Sequence, residues 1–433
     1  MKKLTVLFIL ATIFCSSLFA QNSNFGKEDA LAALKNAKES VKKHYYDKEY
    51  HGINLDEHFK KAEEQIKQAQ NPGQLMGIIA QTLIDFNDSH LFFLPPPRMN
   101  RNDYGIEFRA HGENVLIHAV KPGSDAEAKG LKPGDRLISI NNFPVIREKL
   151  WVLRYLFYAL RPQPALRVVL QSPDQPERTV DFNAKVIQGK RVLDLTNDNG
   201  VDLFDYIRQL EEGDHVSRHR YEKIGEDIFI WKMPQFNLEE GDVDIMFGRI
   251  KKCKSLILDL RGNGGGYVDT LKRMVTDVFD QEIKIAARNG RKELKPIVAK
   301  RFAGNFTGKI IVLIDNNSGS AAEIFARVMQ LEKRGTVLGD RSAGAVMESL
   351  RYSFQSGMNT IIPYGFSITD ADVIMKDGKT IEHVGVTPDE MMIPTGKDLA
   401  AGRDPVLARA VELLGGKLTP ENAGKMFPIE WIK

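Results

Sequence analysis

The stretch Ile310-Ile311-Val312-Leu313-Ile314-Asp315-Asn316-Asn317-Ser318-Gly319-Ser320-Ala321-Ala322-Glu323-Ile324-Phe325 constrains the fold more than any other. Ile310 to Ile314 is short, apolar at every position and mostly β-branched, the pattern of a parallel strand covered on both faces. Asn316, Asn317 and Gly319 break it. Ala321, Ile324, Phe325, Val328 and Met329 resume at helical spacing. A doubly buried strand that hands over directly to a helix calls for a layered α/β domain. Ser320 falls at the handover, facing a helix N-terminus whose unpaired N–H groups and dipole favour negative charge. Two roles are open for it there: a helix cap, common for serine, and a nucleophile whose developing anion that terminus stabilises.

With 433 residues the chain is too long for one core. Its 60 Lys and Arg nearly balance 57 Asp and Glu, which argues against nucleic acid or a membrane surface as partner. Met1-Lys2-Lys3 and the apolar run Leu4 to Phe19 read as a secretory signal peptide cut after Ala20, leaving no membrane span. Only Cys253 then remains, so neither an internal disulfide nor a thiolate metal cluster is expected. The expected location is the periplasm or the extracellular space.

Helix patterns run from Lys27 to about Tyr46, through Leu55, Phe59, Ala62 and Ile66, and from Pro72, capped by Asn71, to Leu83. The third leads into Asp88-Ser89-His90, which places His90 between a helix and a strand. Pro95-Pro96-Pro97 marks a boundary. Beyond it, strands are predicted over Tyr104–Arg109, Val115–Val120, Arg136–Ile140, Arg167–Leu170 and Thr179–Phe182, with helices at Ser124–Lys129 and Glu148–Leu160. The piece from Ala126 to Asn141, with its Pro133-Gly134-Asp135 turn, resembles a PDZ domain. That resemblance places a peptide's terminal carboxylate at the loop Tyr104-Gly105-Ile106, the peptide itself adding a strand to the sheet edge. The other role for such a unit is to brace its neighbour.

Residues 186–219 read as a connector with a helix near Leu203–Leu210. Strands at Ile228–Trp231, Ser255–Leu260, Ile283–Ala287 and Ile310–Ile314 then alternate with helices at Val243–Ile250 and Val268–Phe279, which predicts a mostly parallel sheet. Asp404-Pro405 opens a last helix.

Arg261-Gly262-Asn263-Gly264-Gly265-Gly266-Tyr267 follows one of these strands. Glycine is missing at the sixth position of a dinucleotide loop in either register, and no Gly-Lys-Ser/Thr makes a P-loop. Glycine-rich backbone can instead aim N–H groups at an oxyanion. Ser318 and Ala322 stand where an α/β-hydrolase elbow needs glycines.

Leu258-Asp259-Leu260-Arg261-Gly262-Asn263-Gly264-Gly265-Gly266, Ser318-Gly319-Ser320-Ala321-Ala322-Glu323 and Gly385-Val386-Thr387-Pro388-Asp389 together resemble the C-terminal processing (tail-specific) serine proteases. The resemblance implies Ser320 as nucleophile and Gly266 and Ala321 as oxyanion donors, with Gly265 beside them. The catalytic lysine of the common branch is replaced by Ala345. A second branch, similar to the tricorn core protease, uses a histidine. Asp88-Ser89-His90 and Glu382 match its elements, which implies His90 as base, Glu382 orienting it and Ser89 in support. His383 would face the other way on a strand.

These readings give a multidomain α+β protein. A leader (1–20) precedes a helical region carrying the Ser-His element (21–100), a PDZ domain (101–185) and a layered α/β protease domain of crotonase/ClpP-like type (186–433). The expected function is an exported serine endopeptidase acting on polypeptides, engaged through their C-termini, without metal or organic cofactor. The alternatives are an inactive relative that binds peptide C-termini and an acyl-CoA enzyme, against which the export signal argues. Oligomeric state is left open.

Overall fold

The computed structural model describes residues 25–98, 100–188, 218–357 and 361–431. The signal peptide and the helix read near Leu203–Leu210 lie outside these.

Helices α1 (Lys27–His44), α2 (Leu55–Gln68) and α3 (Pro72–Ile84) come first, then strand β1 (Phe92–Leu94). Asn71 caps α3, its Oδ1 accepting the Gln74 N–H at 3.0 Å, and Pro72 takes the first helical position, where no N–H is needed.

The PDZ unit follows. It comprises β2 (Asn100–Asp103), β3 (Ile106–His111), β4 (Asn114–Val120), α4 (Asp125–Ala128), β5 (Arg136–Ile140), β6 (Phe143–Pro144), α5 (Leu150–Arg154), β7 (Ala165–Gln171), β8 (Glu177–Asn183) and β9 (Lys185–Gln188). Its main sheet runs β3-β4-β5-β7-β8, so β3 is an edge, and β2 pairs only with β9. Phe108, Ile117, Leu153, Phe157 and Val168 fill its core.

The third region holds β10 (Arg220–Ile224), β11 (Ile228–Lys232), α6 (Glu240–Ile250), β12 (Ser255–Asp259), α7 (Val268–Thr276), β13 (Ile283–Gly290), β14 (Ile297–Ala299), β15 (Lys309–Ile314), α8 (Ala321–Leu331) and β16 (Thr336–Gly339). A long hairpin, β17 (Met347–Ser356) and β18 (Ile362–Met375), precedes β19 (Glu390–Met391) and three short helices, α9 (Gly396–Ala400), α10 (Pro405–Leu413) and α11 (Pro420–Met426). The central sheet has the order β10-β11-β12-β15-β16-β19 and is parallel from β11 onward. Its alternate residues serve two cores, as the pleat requires. Leu258, Val312 and Ile314 pack under α6, α7 and α8. Ile257, Ile311 and Leu313 meet Val406, Leu407 and Val411 of α10.

One expectation needs correction. Strand β13 is outside the parallel sheet and pairs antiparallel with β18, Ala286 opposite Met375 through Gly290 opposite Ala371. An apolar run fixes burial but not the direction of a partner some ninety residues downstream. The N-terminal helices and the hairpin have a core in common. Leu34, Val41, Ile79 and Phe93 share one with Tyr364, Phe366 and Ile368 of β18, and β1 pairs with that strand, Phe93 opposite Phe366.

Phe366→Ala, at a fully buried position, should cost about 3–5 kcal/mol and loosen both parts together. Hydrogen exchange is expected to quicken in α1–α3 as well as in the hairpin. Faster exchange confined to the hairpin would show that the helices stand alone.

Candidate active site

The loop after β15 is tied down before it reaches Ser320. Asp315 Oδ1 accepts the N–H groups of Gly262 (2.8 Å) and Asn317 (3.0 Å), and Ser318 Oγ donates to Leu260 O at 2.8 Å. Gly319 N–H donates to Asn263 O at 2.9 Å. Ser320 then takes φ 50°, ψ −120°, a region that costs a non-glycine residue about 1–3 kcal/mol. Its N–H donates to Ala345 O (2.9 Å) and to Glu323 Oε2 (3.1 Å). Ser320 occupies the cap position of α8, yet its hydroxyl makes no capping bond and is half-buried. The local fold therefore leaves the hydroxyl available for chemistry.

Glu323, one turn into α8, has no exposed surface. Besides Ser320 N–H, its carboxylate accepts from Ser342 Oγ (2.5 Å), Gly344 N–H (2.7 Å) and Ala345 N–H (2.9 Å). Burial pushes the carboxyl up to about 7 while these four donors pull it down. The motif contained this residue, but its clamping geometry appears only once residues 342–345 are folded against it.

The glycine-rich turn abuts the same point. Buried Asn263 holds it, donating from Nδ2 to Met233 O (2.9 Å) and accepting Gly265 N–H (2.8 Å). A Cβ on Gly265 would fall 2.6 Å from Ser320 Cβ and 3.0 Å from Ala321 N; one on Gly266 would fall 2.3 Å from Phe236 O. Only glycine permits this approach. Among the described residues neither Gly266 N–H nor Ala321 N–H is bonded to a protein acceptor.

The histidine arrives from the other end of the chain. Buried Asp88 accepts His90 N–H (2.9 Å) and Thr369 Oγ–H (2.7 Å), fixing the α3–β1 loop to β18. Glu382 accepts Ser89 N–H (2.9 Å), Ser89 Oγ–H (2.9 Å) and Val346 N–H (2.7 Å). Ser89 Oγ lies 2.7 Å from His90 Nδ1. The serine has one proton, and the carboxylate takes it. His90 Nδ1 must then be the donor to Ser89 Oγ, which leaves Nε2 unprotonated. Burial lowers the affinity of His90 for a second proton, and Glu382 and Asp88 oppose that shift.

Glu382 thus reaches the imidazole through the Ser89 hydroxyl. Its side chain is nearly buried, whereas His383 is half-exposed and directs Nε2 at Asn87 O, 2.7 Å away. The two halves of the site meet at consecutive residues, since Ala345 O holds Ser320 and Val346 N–H holds Glu382. No hydrogen bond joins Ser320 Oγ to His90 among the described residues. Nor is there a group of three or more metal-ligating side chains among them.

The loop Tyr104-Gly105-Ile106 lies against the core of the β-rich unit. Tyr104 is core, its hydroxyl donating to Gln163 O at 3.0 Å. Ile106 is buried too, and Gly105 N–H is already engaged by Asp103 Oδ1 at 2.8 Å.

With the geometry in place, the comparisons are informative. The model of peptidase family S41 matches residues 227–392, and that of the PDZ domain residues 96–148. A carboxy-terminal-processing protease of Bartonella bacilliformis is 35% identical over 144 residues, covering 32% of this chain and 31% of that protein. A tail-specific protease of Haemophilus influenzae is 25% identical over 260 residues, 58% of this chain and 34% of that one. The chain therefore spans about a third of the length of these relatives. Mature CPAF shares the fold at TM-score 0.63 and 15% identity, over 86% of this chain and 94% of that one. The photosystem II D1 C-terminal processing protease does so at 0.51 and 16%, over 86% and 97%. The class is that of a peptidase fold with a PDZ unit inserted ahead of it. Over residues 227–392 the chain is similar to peptidase family S41.

Glu323→Ala would strand buried donors, each costing about 1–3 kcal/mol. The unfolding midpoint should fall, and reaction of Ser320 with a fluorophosphonate should slow at temperatures where the protein remains folded. An unchanged labelling rate there would show that the clamp does not set the geometry of Ser320.

Proposed function

We propose that this protein is an exported serine endopeptidase that cleaves polypeptides with a histidine base in place of lysine. Ser320 Oγ attacks the scissile carbonyl. His90 Nε2 takes its proton and later returns it to the leaving amine. Ser89 and Glu382 hold the imidazole in the required tautomer and stabilise the imidazolium. Gly266 and Ala321 N–H groups receive the oxyanion, with Gly265 allowing their approach.

The observation that carries this reading is the chain His90–Ser89–Glu382, anchored at Val346 beside the residue that holds Ser320. A surface serine and histidine without a role would not need a nearly buried carboxylate to set a tautomer. The missing Ser320–His90 bond favours the second reading, an inactive relative. Resting hydrolase sites, however, often tighten only with substrate. Export rests on the leader-like start, Met1-Lys2-Lys3 followed by Leu4 to Phe19. It predicts that protein recovered from outside the cytoplasm begins near Gln21. The names of the relatives support processing near C-termini as the mode of action.

Labelling with a fluorophosphonate tests the mechanism. Ser320→Ala should abolish it, His90→Ala should slow it about 100-fold or more, and Ser89→Ala should slow it less. Failure of the folded wild type to label across pH would favour the inactive relative.

The pH profile gives a second check. His90 acts when neutral, and burial lowers its affinity for a proton, so the acid limb of the labelling rate should lie below pH 6.5 and be absent in His90→Ala. A limb rising above pH 8 would point to a different base.

A further inference from the structure

A PDZ domain takes a peptide C-terminus with two sets of groups: loop N–H donors for the carboxylate, and the outward backbone of an edge strand for the peptide chain. In this protein members of both sets have partners within the chain. Gly105 N–H is held by Asp103, whose carboxylate is ion-paired with Lys121. Along β3, Phe108 and Ala110 turn their backbone groups away from β4. Phe108 O accepts the Arg154 guanidinium from α5, the helix that would wall the groove. Ala110 N–H donates to Asn316 Oδ1 at 3.1 Å. Gly112 N–H donates to Asp340 Oδ2 at 2.9 Å, and Gly112 O accepts from Arg147 at 2.7 Å.

The protease-side partners fall in two segments. Asp315, Asn316 and Asn317 lie just before Ser318-Gly319-Ser320. Asp315 is bonded by Arg109, and Asn317 by Arg154, each at 3.1 Å. Asp340 and Arg341 lie just before Ser342–Ala345, which Glu323 clamps and which ends on the acceptor for Ser320 N–H. Arg147 pairs with Asp340 at 2.8 Å and also donates to Arg341 O. The edge strand is thus docked on the two segments that hold Ser320 in its strained conformation. Any peptide strand added there would first have to remove Asn316 and Arg154.

We infer that the β3 edge is an internal dock and not a port for peptide C-termini, with Asn316 in the place of a ligand strand, and that Asn316 and Arg154 are positioning residues for Ser320. The second half rests on Ser320 being the nucleophile; the first does not.

Three measurements on the full-length mature chain test this. Without any peptide, amide exchange should be slow at Ala110 and Gly112 in the wild type and should quicken at Ala110 in Asn316→Ala. A fluorescein-labelled peptide pool with random sequences and free C-termini should bind no better than the same pool amidated. For fluorophosphonate labelling, Asn316→Ala should lower the maximal rate about tenfold or more with the half-saturating concentration unchanged. Asn316→Asp, which keeps the acceptor, should recover most of that rate.

Rapid exchange at Ala110 in the wild type, or saturable binding that depends on a free carboxylate and competes with the Asn316 contact, would overturn the dock. An unaltered maximal rate in Asn316→Ala would overturn the positioning role. Ser320→Ala separates the two readings. If that variant still labels, the nucleophile assignment has failed, whereas the exchange and binding results continue to decide the dock.

Discussion

The buried carboxylate of Glu323 is the contact on which the site depends. Four donors converge on it, from Ser320, Ser342, Gly344 and Ala345. Without it residues 342–345 would lose the hydrogen bonds that tie them to α8, and the backbone of Ser320 would relax from a conformation that few non-glycine residues adopt. An acceptor-only group suits this work, because every donor it meets is already committed to the carboxylate. The same clamped segment continues to Val346, which binds Glu382 and through it the histidine. A single stretch of five residues therefore sets the distance between the two halves of the chemistry.

That arrangement explains how the site accommodates Ala345. Residue 345 contributes its backbone, with C=O to Ser320 and N–H to Glu323. A long cationic side chain is not needed to hold the loop. In the function proposed above the proton acceptor is His90, on the α3–β1 loop that Asp88 and Thr369 fix to the hairpin strand. The hairpin therefore has two structural duties: it completes the core of the N-terminal helices, and it carries the histidine to the protease sheet.

Much of this was legible in the sequence, for local reasons. A doubly apolar strand running into a helix announced the layered sheet. The glycine-rich turn and the serine at the handover announced the oxyanion face, since both signals sit within a few residues of one another. His90, Ser89 and Glu382 could be singled out only through resemblance, because nothing local distinguishes a histidine at a helix end from a surface one. What could not be read were relations between distant segments. These include the direction of β13, the shared core of Phe93 and Phe366, the route from Glu382 to His90 through the Ser89 hydroxyl, and the bond from Asn316 to the PDZ edge. The partner of Gly105 N–H was likewise not legible. Tyr104-Gly105-Ile106 has the right composition, but Asp103, immediately before it, occupies the donor.

The sequence separation within the site has a consequence for biosynthesis. His90 lies in the first quarter of the chain, Ser320 in the last third, and the acid that sets the histidine's tautomer at 382 of 433 residues. A ribosome must therefore make nearly nine-tenths of the polypeptide before the last member of the set exists, and the helices must then close on the hairpin before the members meet. In the function proposed above, a chain not yet made as far as residue 382 has a serine and a histidine but no complete hydrolytic centre. On that reading, topology alone keeps the unfinished chain inert.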